Sequence, residues 1–217
     1  FGITVRSGAY AYIDAWTILP SAGPNGWVIP GVPVVVLNDG AHAFLIHASD
    51  YYHLASILTN GVSVAFADAT NVSLVWSNII ADGTIHADFA ENLCSNNTPE
   101  WWLAGHGFAG DLNGAELGDQ DSDGAVTWKE WIAGTDPTNR ASVFQVLSIS
   151  SAASQSVYFT SAPSRSYTLE VNPDLTTGQW AVVNGPTNIP GTGGGLRLDD
   201  ASSETRCFYR IRVRYTP

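Results

Sequence analysis

The stretch Ser56-Ile57-Leu58-Thr59-Asn60-Gly61-Val62-Ser63-Val64 decides the fold. Two apolar, β-branched runs flank Asn60-Gly61, and both of those residues accept the positive φ that a type I′ turn demands. The stretch therefore predicts a tight β-hairpin. Working outward, similar short runs recur on either side: Ile3-Thr4-Val5, Val34-Val35-Val36-Leu37, Ala43-Phe44-Leu45-Ile46 and Ser73-Leu74-Val75-Trp76. Turn dipeptides punctuate them at Asn25-Gly26, Asp39-Gly40 and Asp82-Gly83. No stretch holds a helical period, so residues 1–92 are expected to be an all-β domain.

Residues 141–217 return to strands, at Val143–Leu147, Ser156–Phe159, Tyr167–Val171, Trp180–Val183, Gly195–Leu198 and Phe208–Tyr215. The last alternates cleanly. Tyr209, Ile211, Val213 and Tyr215 face one way and Arg210, Arg212 and Arg214 the other. Between the two β regions, residues 93–140 change character. Thr98-Pro99-Glu100 ahead of Trp101-Trp102-Leu103-Ala104 reads as a helix start, with Thr as N-cap and Gly105 or Gly107 as its end. The expected architecture is mainly all-β: two small sandwich-like domains joined by a short helical segment.

That segment carries the one constellation with evident chemistry, Asp119-Gln120-Asp121-Ser122-Asp123-Gly124-Ala125-Val126-Thr127-Trp128-Lys129-Glu130. The spacing fits an EF-hand loop. Calcium is a hard cation that takes six to eight oxygens. Asp119, Asp121 and Asp123 would supply positions 1, 3 and 5, and the Ala125 carbonyl position 7. Thr127 would act at position 9, directly or through water, and Glu130 would bind at position 12. Gly124 permits the bend that wraps the chain round the ion. Four carboxylates within twelve residues repel one another unless a cation compensates them. Magnesium suits the set less well, because it keeps more of its own water. Upstream, Asp111-Leu112-Asn113-Gly114-Ala115-Glu116 reads either as a capped helix start or as a degenerate second site.

Charged residues are only 13% of the chain, about half of the roughly 25% usual in soluble domains. The balance is 20 acidic against 9 basic residues, a net charge of −11. That argues against nucleic acid or anionic membrane as partners, since both need concentrated Lys and Arg. No apolar run is long enough to span a bilayer. The sparse charge and abundant Gly and aromatics suit an extracellular β protein. In an oxidising compartment Cys94 and Cys207 could form one disulfide, with two buried thiols as the alternative.

Three resemblances follow from these residues. Tyr51-Tyr52-His53 through Asn60-Gly61-Val62-Ser63-Val64, closing with Asp82-Gly83-Thr84-Ile85-His86-Ala87-Asp88-Phe89, resembles a repeat domain of bacterial surface and secreted proteins over about residues 30–92. The loop and its sequel Trp128-Lys129-Glu130-Trp131-Ile132-Ala133-Gly134-Thr135-Asp136-Pro137 resemble thrombospondin type 3 and dockerin calcium segments over about 98–140. That second resemblance implies that Asp136 helps to close the calcium site. Tyr167-Thr168-Leu169-Glu170 and Phe208-Tyr209-Arg210-Ile211-Arg212-Val213 resemble an accessory β-sandwich of secreted bacterial proteins.

No nucleophile elbow, phosphate loop or zinc spacing is present, and the five histidines are scattered. A non-catalytic role is expected. A lone loop without Met or a second hand suits scaffolding better than sensing. The leading expectation is a calcium-stabilised extracellular or cell-surface bacterial structural protein. Its strand edges would pair with copies of itself or with other surface components. The alternative is a carbohydrate-binding accessory region, with Trp16, Trp27, Tyr51 and Tyr52 as candidates to stack on sugars. A dockerin-like docking module is weakened by the single calcium segment.

Overall fold

The computed structural model describes residues 2–4, 10–12, 14–151, 155–176, 178–201 and 207–217. The fold is mainly β. The chain divides into two compact units, Phe1–Leu93 with Pro99–Trp101, and Cys94–Thr98 with Trp102–Pro217. Most of the helical segment over 93–140 falls within the second of these, with Leu93 and Pro99–Trp101 in the first.

In the first unit β1 (Gly2–Thr4) and β2 (Tyr10–Tyr12) form a separate hairpin. Next come β3 (Ala15–Ala22), β4 (Gly26–Ile29), β5 (Val34–Leu37), β6 (Gly40–Ala48), β7 (Tyr52–Thr59), β8 (Val62–Ser63), β9 (Asn71–Ile79) and β10 (Gly83–Glu91). They build a five-stranded sheet, β5-β3-β10-β7-β8, and a three-stranded sheet, β4-β6-β9. Inward-facing Ile18, Ile57 and Ile85 of the first sheet meet Phe44, Ile46 and Ile79 of the second in one buried core. Burying each such side chain contributes about 1.5–3 kcal/mol. The Asn60-Gly61 hairpin forms as predicted, with φ of 50° and 78° and Thr59 opposite Val62. The region from Ala15 to Ile29 supplies β3 and β4, which the short-run pattern did not separate.

In the second unit α1 (Glu100–Gly105) begins in the neighbouring unit's residues, followed by α2 (Leu112–Ala115) and α3 (Thr127–Ala133). The sandwich follows: β11 (Val146–Ser151), β12 (Gln155–Thr160), β13 (Arg165–Asn172), β14 (Ala181–Val182), β15 (Ile189–Pro190), β16 (Gly195–Asp200) and β17 (Phe208–Tyr215). One sheet runs β11-β12-β16; the other centres on β13, flanked by β14, β15 and β17. Phe159, Leu198, Tyr167 and Leu169 bury their side chains between them. The alternation read from Phe208–Tyr215 holds: Tyr209, Ile211 and Val213 pack on this core. On the opposite face Arg210 and Arg212 both pair with Glu170, at 2.7 and 3.0 Å.

Three expectations need correction. Thr98 does not cap α1: it is fully buried, its hydroxyl has no hydrogen-bond partner, and its carbonyl instead accepts the Cys94 amide. Its role is to close the turn before the helix. Strand β11 starts at Val146 rather than Val143, because Phe144 turns inward to stack on Tyr167 at 6.1 Å. Cys94 and Cys207 are not joined as a disulfide. Each sits in its own local setting, Cys94 buried in the turn closed by Thr98, and Cys207 with its thiol donating to the Tyr209 hydroxyl at 3.0 Å.

Candidate metal centre

The loop from Asp119 to Glu130 lies between α2 and the first turn of α3. Its bend uses left-handed backbone at Ser122 (φ 60°) and Gly124 (φ 100°), the second a conformation that L side chains rarely adopt. The bend draws one carboxylate oxygen from each of Asp119, Asp121 and Asp123 to within 4.8 Å of one another. Backbone amides hold the three in place. The Asp123 amide donates to Asp119 Oδ1 (3.2 Å) and Asp121 Oδ1 (3.1 Å), the Gly124 amide to Asp119 Oδ2 (3.0 Å), and the Ala125 amide to Asp123 Oδ1 (2.7 Å).

Glu130, in the first turn of α3, is 1% exposed. One of its oxygens accepts from the Thr135 hydroxyl at 3.2 Å. Its Oε2, together with Asp121 Oδ2 and Asp123 Oδ2, is buried with no hydrogen-bond partner. Burial pushes the Glu130 carboxyl up to about 7 from its ordinary 4.5. The Thr135 hydrogen bond works against that rise, and the negative charges of Asp123, Asp121 and Asp119 add to it. Only the three aspartates are gathered within that distance; Glu130 lies outside the group and feels their charges. Converging like charges with buried, unpartnered acceptor oxygens nearby suit a cation. An all-oxygen, carboxylate-rich set fits calcium. A cavity of about 340 Å³, lined in part by Asp123, Gly124, Ala125 and Glu130, opens beside the loop.

Two expected ligands make other hydrogen bonds. The Thr127 hydroxyl donates to the Gly118 carbonyl at 3.0 Å, and the Thr127 amide donates to the same oxygen at 2.8 Å. With Trp128 N–H on the Glu116 carbonyl, this clasp closes the lone loop onto its own incoming chain. Asp136 accepts from the Thr138 amide and hydroxyl, at 3.0 and 2.8 Å, and lies 3.9 Å from His106 Nε2. Those Thr138 bonds hold its carboxyl below the usual range. It shapes the turn after α3 and is not gathered with the aspartate triad. Upstream, Asp111 caps α2 by accepting from the Gly114 amide at 3.0 Å. Glu116, fully buried, accepts from the amide and side chain of Asn96, at 2.9 Å each.

Spacing had no means of finding Arg165. It is 7% exposed, and its guanidinium donates to the carbonyls of Trp131 and, at 2.8 Å, Ile132, the last turn of α3. It also lies over the rings of Trp131 (5.0 Å) and Tyr215 (4.6 Å). A fork of fixed donors satisfies carbonyls that the helix end would otherwise leave unpaired. The helix that carries Glu130 is thereby pinned to β13 and β17.

Among the histidines, His86 bridges Ser21 (Nδ1 to Oγ, 2.8 Å) and Asp88 (Nε2 to Oδ1, 3.0 Å) on adjacent strands. A hydrolytic triad sets its serine on Nε2 and its carboxylate on Nδ1. Here the order is reversed, and Ser21 also reaches the Ile85 carbonyl. With Ser56 donating to Asp88 at 3.0 Å, the set reads as a polar ladder tying β3, β10 and β7 together.

Among the described residues no helix is long and apolar enough to cross a membrane. Compared with known proteins, the chain matches no family model, no curated protein and no solved structure.

Proposed function

We propose that this chain is a non-catalytic, calcium-stabilised structural module of a bacterial extracellular or cell-surface protein, assembling through its β-strand edges. The observation that carries the calcium reading is the buried, unpartnered Oε2 of Glu130 beside the Asp119, Asp121 and Asp123 carboxylates. Calcium bound there would be held by Asp119, Asp121, Asp123, Glu130 and the Ala125 carbonyl. The ion supplies positive charge to a centre whose own groups repel. Its role is scaffolding: it fixes α3, and through Arg165 the base of the C-terminal sandwich. Isothermal titration tests the reading directly. One calcium should bind per chain, and Asp121→Asn should weaken it at least tenfold. No heat of binding would sink it.

A second reading, carbohydrate binding, has one observation in its favour. Trp27 is 44% exposed on the outer face of β4, its ring 4.5 Å from that of His47. Tyr51 is also exposed, whereas Trp16 packs against the core. A glycan array without hits would remove this option.

A further inference from the structure

Strand β17 pairs with β13 along its whole length, and its other edge has no strand partner among the described residues. Arg210, Arg212 and Arg214 stand on one face of that edge strand, two residues and therefore roughly 6.6 Å apart. Glu170 offsets one of these charges by pairing with both Arg210 and Arg212. Arg214 is exposed and has no ion pair among the described residues. In a chain of net charge −11, a third of the nine basic residues occupy this strip.

The N-terminal unit has the opposite character. It holds eight acidic residues against one basic, Arg6, a net of −7. Three of the acids are brought to one end of its sandwich. The Asn38 amide donates to the Asp14 carbonyl (2.9 Å), the Asp39 amide to the Ile79 carbonyl (2.9 Å), and the Thr17 amide to the Asp82 carboxylate (2.7 Å). Asp14, Asp39 and Asp82 are all exposed there, beside the exposed apolar Leu37 (60%) and Ile80 (64%).

We infer that the Arg210–Arg212–Arg214 strip on β17 of one copy docks against the Asp14–Asp39–Asp82 end of the N-terminal unit of a second copy. This rests on the reading of the chain as a structural module that assembles through its edges, and it names the faces. The two faces are different surfaces, so the contact is heterologous, and repeating it links copies head to tail, into a ring where the rotation closes and a row where it does not. Opposite charge sets the pairing and its direction, and the open backbone edge of β17 adds a place for strand addition.

Sedimentation velocity on the intact, calcium-loaded chain tests this. Between ~10 mM and ~1 M salt the screening length falls from about 30 to about 3 Å. A concentration-dependent series of oligomers should form at low salt and dissociate at high salt. Arg214→Glu and Asp14→Lys should each weaken association about fivefold or more. An equimolar mixture of the two variants should recover it, because each altered face then meets its complement. A monomer at every salt concentration overturns the inference, as does a closed dimer indifferent to both variants. A monomer that binds polygalacturonate through Arg214 also overturns it and assigns the strip to an anionic polysaccharide. Calcium titration of the same sample separates the failures, since a monomer that still takes up one calcium leaves the scaffolding role standing.

Discussion

At the scale of single residues, Glu130 does two opposed things. Under the proposed calcium role, it would supply the carboxylate at the end of the loop. Without an ion, it is a buried carboxyl pushed up to about 7, its charged form opposed by burial and by three aspartates. Glu130→Gln should therefore lower calcium affinity about a hundredfold, ~3 kcal/mol, while leaving the chelated protein as stable as the parent or more so. Titration and thermal melts on the two proteins check both halves. The pH dependence follows with a definite sign. A carboxyl raised from 4.5 to about 7 favours the folded state below the lower value and loses that contribution as pH rises through the higher. Chelated protein should gain stability on acidification from about pH 8 to about pH 5.5, whereas calcium-loaded protein should lose it as protons compete for Glu130. The 1-3-5-12 spacing that marked the loop is written into consecutive residues, and so it was legible. The Thr135 hydroxyl on Glu130 and the use of Thr127 as a clasp depend on where α3 settles, which no spacing encodes.

At the scale of elements, hairpins were legible and caps only in part, Asp111 capping α2 as one reading of its sequence had it. Asn60-Gly61 states its turn in two residues because positive φ is a local demand. Thr98 satisfied every local rule for an N-cap, yet burial and the turn back to Cys94 gave it another task. Arg165 is the extreme case. It reads as one more charge in a strand, and only the packing of α3 on β13 makes it a helix-end cap. Arg165→Lys retains the charge but loses the planar fork and its ring contacts, so it should destabilise the C-terminal unit by about 2–3 kcal/mol in urea melts. Because the same residue fixes the helix bearing Glu130, calcium affinity should fall with it. A variant that loses stability with unchanged calcium affinity would show that α3 is positioned without Arg165.

At the scale of the whole molecule, the mainly β fold was visible in period-2 runs and turn dipeptides. The helical segment was less so. Read along the chain it is a linker between strand regions, but most of it packs as part of the C-terminal unit. The Asp119–Glu130 loop then belongs to the second unit, and a calcium bound there should stabilise that unit. Scanning calorimetry of the intact chain, with calcium in excess and with chelator, is the most direct test. At a hundredfold excess over its dissociation constant, calcium should stabilise the folded C-terminal unit by about 2.7 kcal/mol and move its transition up by roughly 10 °C. The near-UV signal from Trp131 against Tyr215, whose rings lie 4.7 Å apart, identifies that transition. The transition of the N-terminal unit should stay where it is. Two superimposable scans, or a full calcium shift in Glu130→Gln, would contradict a calcium scaffold at Asp119–Glu130.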